Sequence, residues 1–503
     1  MRISIQNGCG CPANHHSPFT IHHSPIMILY IDNHKYHYEM ENLCRAFLFT
    51  EEVAVLHEYT ELSAPYVLTS VHDDVRVTLC TSTFNKTLSA PLGDDDELTM
   101  GQLLYQLLSQ AYDRELPWGI LTGVRPIKLY ARLCDRNGEE AARRYFSDTL
   151  YVSDEKIALA QQVRKNQQVI LSRSDRRSFS LYVSIPFCPT RCSYCSFVSQ
   201  TVEKAKKLIG DYLPLLLSEI RYTAESAKEL GLRCESIYIG GGTPTTLSAE
   251  QLDLLLNEIE ADLDLSHCAE FTVEAGRPDT VTREKLLALK KHPVTRISIN
   301  PQTFNDSVLE RIGRKHTAQQ TIDAFRLARE LGFDNINMDL IAGLTSDTPE
   351  SFIRTLDIVR ELDPESVTVH TLAVKRSARL NSTDAVKEQE YTAQMLSDAT
   401  ARLTEGGWEP YYLYRQSKML SNLENTGWAK PGYFSPYNVY IMEETHSILA
   451  CGAGAVSKLR DVDSDYIERI FNFKYPYEYI SRFDEMIQRK ARVRSFYGEY
   501  NKS

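Results

Sequence analysis

Residues 184–197 read SIPFCPTRCSYCSF and place Cys188, Cys192 and Cys195 four and three positions apart, beside a proline, aromatics and an arginine. Thiolates this close together are suited to soft metal ligation or redox exchange. Tetrahedral zinc normally takes four Cys or His ligands, often as two separated pairs, and no partnering C-x2-C stands elsewhere in the chain. A thioredoxin-like pair would use Cys192 and Cys195 and leave Cys188 idle. A [4Fe–4S] cluster usually has four thiolates, so three leave one iron open to an outside ligand, and the motif then asks for a bound small molecule. Cys44, Cys80, Cys134, Cys234, Cys268 and Cys451 lie scattered in apolar patterns and read as small buried hydrophobes.

The elements that must position such a loop begin beyond the polar hinge SDRRS. SLYVSIP, ESIYIGG, AEFTVEAG, TRISIN, NINMDLIAG and ESVTVHTL read as strands, separated by helical stretches that include about 202–230. Six strands in β-α order predict a parallel sheet with helices outside, either doubly wound or a partial (βα)6 barrel. Gly240, Gly241, Gly242, Glu274, Asn300, Gln302, Asp339 and His370 fall in or just after these strands. That is the end of the strands where α/β barrels carry their sites.

Around this unit the pattern changes. Residues 1–26 hold His15, His16, His22, His23, Cys9 and Cys11 without apolar period, and read as a disordered tail, with Met27 a candidate true start. Residues 27–175 read as an N-terminal α+β domain of unknown role. Two hairpins are expected in it, around Asp32-Asn33 and Asp73-Asp74, with helices at ELTMGQLLYQLLSQAY and 153–173. The barrel is expected over 176–384 and a C-terminal α+β domain closing the substrate site over 385–503. A length of 503 residues, 43% hydrophobic and 24% charged, describes a folded chain of several domains. The net charge of −11 argues against nucleic acid as partner, and no apolar run reaches the roughly 20 residues of a membrane span. A cytoplasmic location with reduced cysteines is expected.

C-x3-C-x2-C with Tyr194 before its third cysteine, after the first strand of a β-α series, resembles the radical S-adenosylmethionine (SAM) superfamily, and YIGGGTPTTL resembles its glycine-rich SAM-binding segment. FTVEAGRPDT, RISINPQTFND, LERIGRKHT and INMDLIAGL are similar to successive motifs of the oxygen-independent coproporphyrinogen III oxidase family, over about 180–460. GRPDT, YRQSKMLSNLENTGWAKPG, YNVYIMEE and GAGAVSKL resemble its HemZ-type branch.

The resemblance implies that Cys188, Cys192 and Cys195 ligate a [4Fe–4S] cluster whose open iron is chelated by SAM. It implies SAM contacts from Tyr182, Tyr194, Gly241, Gly242, Thr243, Glu274, Gln302, Arg314 and Asp339, with Asp339 suited to ribose hydroxyls and Arg314 to a carboxylate. No catalytic group is assigned beyond the cluster and SAM. The implied reaction is radical oxidoreduction: a 5′-deoxyadenosyl radical removes hydrogen from the β-carbon of a propionate, and loss of an electron and carbon dioxide leaves a vinyl group. Two such events turn coproporphyrinogen III into protoporphyrinogen IX for haem biosynthesis. The implied partners are this tetrapyrrole or haem and a low-potential electron donor such as flavodoxin or ferredoxin.

Four substrate carboxylates call for basic groups at the mouth of the site, for which Arg277, Lys315, Lys375, Arg376 and Arg415 are candidates by position. Trp428, Tyr433 and Tyr437 form an aromatic cluster that reads as core or as a platform for a flat tetrapyrrole. ILACGAGAVSKL lacks dinucleotide spacing and reads as a tight backbone approach near the site. Phe197 stands where the oxidase branch commonly has a further cysteine, as it also does in the related haem-chaperone branch. The alternatives are therefore a haem-binding chaperone, ligating through a histidine such as His370 or His446, or a radical SAM enzyme acting on another substrate.

Overall fold

The computed structural model describes residues 26–48, 52–58, 61–62, 64–195, 197, 199–372, 389–416 and 423–500. The histidine-bearing tail, Lys375 and Arg376 lie outside them. The first strands build a five-stranded sheet of order β2-β1-β3-β4-β5 from β1 (Ile26–Asp32), β2 (Glu52–Leu56), β3 (Tyr66–Val71), β4 (Asp74–Cys80) and β5 (Asn85–Pro91). The hairpin expected around Asp73-Asp74 is present as β3–β4, with Val71 opposite Val75. The one expected around Asp32-Asn33 is not. Asn33 turns the chain in the left-handed region, and HKYHYEM opens a helix, His37–Phe47, that buries Met40, Leu43, Cys44 and Phe47. β1 then pairs in parallel with both β2 and β3. This sheet and the helix Asp96–Tyr112 enclose a core of their own, from Met27 to Leu116.

A second core takes in Trp118, the helices Pro126–Asn137 and Asp154–Leu171, and the elements C-terminal to them. Its frame is β6 (Ser178–Ile185), the two-residue pair β7 (Phe187–Cys188) and β8 (Gln200–Thr201), β9 (Arg233–Gly241), β10 (Glu270–Glu274), β11 (Arg296–Ser298), β12 (Ile336–Ala342) and β13 (Ser366–Thr371). β6 and β9 to β13 lie side by side in chain order, all parallel. That order is the barrel's; a doubly wound sheet reverses its order at a switch point. Later strands extend both edges. β14 (Glu409–Tyr414) and β15 (Asn425–Ala429) continue beyond β13, and β16 (Ser447–Cys451), β17 (Val456–Arg460) and β18 (Ile467–Phe471) continue beyond β6.

Most of the strand positions alternate. Phe179, Leu181, Val183, Ile237, Ile239, Phe271, Val273, Ile297, Met338, Leu340, Val367 and Val369 belong to the apolar core. Many of their neighbours are polar and bond to one another, across strands in Ser180 with Ser236 at 2.7 Å, Tyr238 to Glu274 at 2.5 Å and Thr368 with the Tyr412 hydroxyl at 3.2 Å, and along β12 in Asn337 to Asp339 at 2.7 Å. Strands this mixed in content can stand in a barrel because these buried polar groups satisfy one another. The helix Pro436–Glu443 is tied to the barrel by Glu270, which accepts from Ser435 Oγ and from Tyr437 N at 2.9 Å.

Gly452 N, Tyr479 Oη and Asn472 Nδ2 donate to Glu219, which also pairs with Lys490 Nζ at 2.9 Å. Both charges are buried, and they join the helix Val202–Glu229 to the C-terminal strands and helices. The tight approach expected of ILACGAGAVSKL is here: a Cβ on Gly452 would sit 2.6 Å from the Ser184 carbonyl oxygen, and its φ is +96°. Removing one member of such a pair strands the other. The Glu219→Ala variant should therefore lose about 3–5 kcal/mol of stability, measured as a fall in the thermal unfolding midpoint; an unchanged midpoint contradicts this anchoring.

Candidate functional site

The cysteine loop leaves β6, pairs through β7 and β8, and rests on the turn after the helix Asp306–Arg311. Ser193 N donates to Ile312 O at 3.0 Å and Thr190 Oγ1 to Gly313 O at 3.1 Å. Gly313 has φ +79°, a conformation that suits glycine. On the other side lies the glycine segment. Gly242 N donates to Ile185 O and Thr243 N to Phe187 O, at 2.8 and 2.7 Å, and a Cβ on Gly242 would sit 2.6 Å from Phe187 O. With those N–H groups taken, what this backbone offers an ammonium group is carbonyl oxygen. Thr243 Oγ1 points to Cys188 Sγ at 3.6 Å.

Cys188, Cys192, Cys195, Tyr194, Gly241, Gly242, Thr243, Glu274, Gln302, Arg314 and Asp339 all line one cavity of about 300 Å³. Tyr182 lines a second, of about 440 Å³, that shares Phe197, Gly241, Glu274, Asp339, His370 and Tyr414 with the first. Sequence-adjacent polar positions on six strands have thus been gathered on one rim. Gln302 holds φ +67°, a left-handed conformation maintained by a bridge to β12, with Gln302 N on Asp339 O at 2.9 Å and Ile341 N on Gln302 O at 3.0 Å. Non-glycine residues in this region carry strain, and such strain gathers at functional sites.

The charges around the cavity are sorted. Burial drives the Glu274 carboxyl up, and although the Tyr238 hydroxyl opposes it, the carboxyl reaches about 7. Asp339 is equally enclosed, but His370, with Nε2 at 3.9 Å, and Asn337 outweigh burial and hold it below the usual carboxylate range. One carboxyl is a proton donor near neutrality and its neighbour an anion. Arg314 donates from Nη1 to Asn300 O at 2.8 Å and from Nε and Nη2 to the Tyr194 hydroxyl at 3.1 and 3.0 Å. These partners are neutral oxygens, and the Cys192 thiol lies near the same guanidinium.

Several positional candidates are corrected. Arg277 is 3% exposed and does not reach out to solvent; Asp279 clamps it beside Cys192. Arg415 is buried against the Leu121 carbonyl, at 2.7 Å from Nη1, and faces the N-terminal segment. Lys315 is exposed and lines neither cavity. His446 is buried with both ring nitrogens bonded, to Ser174 and Ser180 at 2.8 Å, and burial pushes it down to about 3, so it is a structural histidine. Trp428 is core, whereas Tyr437 stacks on Tyr238, with ring centroids 4.5 Å apart, and lines the larger cavity with Tyr182. Tyr238, Arg296 and Thr368 also line that cavity and were not singled out from the sequence. The period-two alternation of ESIYIGG, TRISIN and ESVTVHTL carried the signal.

The donor set suits a cluster. Three thiols enter one cavity, yet among the described residues no three His, Cys, Asp or Glu side chains converge to hold a single ion. A cluster asks for one thiolate on each of three irons, whereas a single zinc needs all its ligands at one point. Cations at Arg277 and Arg314 stand where thiolate charge would collect.

A protonated Glu274 has a consequence for stability. Because its carboxyl lies at about 7 in the folded chain and at the ordinary 4.5 when unfolded, the folded state holds a proton the unfolded state has lost, so stability falls as pH rises between these values. The Glu274→Gln variant lacks this term. Its stability relative to the parent, from chemical unfolding without cofactors, should improve by about 3 kcal/mol between about pH 4.5 and about pH 8; a difference independent of pH contradicts the assignment.

The model of the radical SAM superfamily, whose proteins use a [4Fe–4S] cluster and SAM, matches residues 182–359. The oxygen-independent coproporphyrinogen-III oxidase-like protein HemZ of Bacillus subtilis (strain 168) is 41% identical over 382 residues, covering 75% of this chain and 76% of that one. The heme chaperone HemW of the same strain is 34% identical over 51% of this chain and 68% of its own. The oxygen-independent coproporphyrinogen III oxidase of Escherichia coli (strain K12) is 30% identical over 48% of this chain and 52% of its own. An alignment of that identity over three quarters of both chains, with the three cysteines and the glycine segment lining one cavity, places this protein in the radical SAM superfamily and, within it, in the family of the HemZ oxidase-like proteins.

Proposed function

We propose that this chain is a coproporphyrinogen III dehydrogenase, turning two propionates into vinyl groups without oxygen. The observation that carries the reading is the junction of the two cavities. Glu274, Asp339 and His370 line both, so a substrate in the larger space borders the smaller one, where the SAM-contacting residues gather. Cys188, Cys192 and Cys195 hold the cluster, and cluster and SAM together supply a hydrogen-abstracting radical. Arg314 receives the carboxylate of SAM, Asp339 its ribose hydroxyls, and Gly241, Gly242 and Thr243 its methionyl end. Gln302, Tyr182 and Tyr194 complete the enclosure.

The larger cavity supports a tetrapyrrole propionate in two ways. Tyr182, Tyr238 and Tyr437 form a stacked aromatic wall, and Arg296, His370 and Lys458 supply donors to carboxylates. Residues from β14, β16, β17 and the helix Pro436–Glu443 form part of its lining, which supports a part for the C-terminal segment in closing the substrate site. Among the described residues no helix is long and apolar enough to cross a membrane. The electron donor in this reading is a low-potential protein of the flavodoxin or ferredoxin class.

A second reading, haem carriage, draws support from Phe197. It is 61% exposed and lines both cavities, an apolar side chain at their junction where a flat macrocycle would meet it. Similarity to proteins named heme chaperones points the same way. Anaerobic turnover with SAM, a low-potential reductant and coproporphyrinogen III, followed by mass, separates the two. The dehydrogenase reading expects vinyl product and 5′-deoxyadenosine, both lost in Cys195→Ala. Deoxyadenosine without vinyl product discards this substrate, and haem binding that His370→Ala weakens would transfer the site to the carrier reading.

A further inference from the structure

Arg277 follows β10 in the turn GRPDT, and its side chain crosses to the cysteine loop. Each nitrogen is engaged. Nε and Nη2 grip the two oxygens of Asp279 at 2.9 and 2.8 Å, while Nη1 donates to Thr190 Oγ1 at 3.0 Å and points to Cys192 Sγ at 3.9 Å. Thr190 in turn donates to Gly313 O, so the guanidinium, the cysteine loop and the turn beneath it form one bonded unit. His316 lies buried behind the clamp, 4.0 Å from Asp279, with neither ring nitrogen hydrogen-bonded. Burial and the neighbouring Arg314 and Arg277 charges push it down to about 3, so it adds no positive charge to the group.

We propose that Arg277 sets the reduction potential of the cluster, as a fixed N–H donor and positive charge held against the Cys192 sulfur. Hydrogen bonds and charge at cluster sulfurs are among the means by which a protein tunes that potential. The reduced cluster carries one more negative charge than the oxidised one, and a cation at fixed distance stabilises it more. An external low-potential one-electron donor would pass its electron to the cluster, and Arg277 would make that transfer more favourable from the wall of the cavity the thiols enter. Arg314, the other nearby cation, lines the same cavity and also lies near Cys192, but it is held by the neutral oxygens of Tyr194 and Asn300 rather than clamped by a carboxylate. Arg277 is fully engaged by the protein and acts as a positioning residue.

The test is an EPR-monitored redox titration of the reconstituted protein, without tetrapyrrole, beside iron analysis. In Arg277→Gln the reduced-to-oxidised ratio at the parent's midpoint should fall about tenfold, a downward shift of about 59 mV for one electron. Arg277→Lys, which keeps the charge and loses the clamp, should fall less. A parent-like midpoint in Arg277→Gln overturns the proposal. If that variant does not retain its iron, Arg277→Lys decides: it keeps the positive charge but loses the N–H aimed at Cys192, so a lowered midpoint supports the role and an unchanged one refutes it. No substrate takes part, so failure of the dehydrogenase reading leaves each outcome readable.

Discussion

Three thiolates in eight residues are a concentration of negative charge that a folded chain must enclose and neutralise. Burial disfavours each charge, and like charges disfavour one another. The surroundings of the cysteine loop answer this constraint. Arg277 is locked by Asp279 with one nitrogen toward Cys192, and Arg314 is held by Tyr194 and the Asn300 carbonyl. Both cations are themselves buried and depend on the ends of β10 and β11 for their place. The loop and the strands that carry its counter-charges therefore have to be built together.

The barrel meets this demand by dividing each strand between two tasks. One set of alternate residues, from Phe179 to Val369, packs against the helices; the other forms a ladder of serine, threonine, asparagine and carboxylate groups in the interior. TIM-type barrels more often fill that space with branched apolar side chains. Here the polar ladder brings two unlike carboxyls, Glu274 and Asp339, to a single rim: burial raises the first to about 7 against the pull of the Tyr238 hydroxyl, while a histidine and an asparagine hold the second below the usual carboxylate range. Glu270 extends the same economy to the lower end of β10, where it receives the N-terminus of the helix Pro436–Glu443. Aromatic and basic residues of the larger cavity are then brought up to the rim.

Much of this was legible in local pattern. The six strands, the long helix after the cysteines and the rim residues from Gly240 to His370 are set by strand alternation and by the few residues next to each strand's C-terminal end, both short-range properties. The helix His37–Phe47 was not, because HKYHYEM satisfies a two-residue period as well as a helical one, and only the packing of Met40 and Leu43 decides. Side-chain direction in loops was least legible. Arg277 and Arg415 look alike as basic residues beside strand ends, yet one turns to a loop 85 residues away and the other to a carbonyl 294 residues away. The pairing of β16 with β6 is of the same kind, a contact between Leu449 and Leu181 that no local signal announces.

A three-thiolate cluster with one iron open to SAM is tested most directly by Mössbauer spectroscopy of the anaerobically reconstituted protein. One iron of the four should change its spectrum when SAM is added, while the three bound by Cys188, Cys192 and Cys195 keep theirs. A spectrum indifferent to SAM, or a centre that forms equally well after Cys192→Ala, would contradict the account at its base.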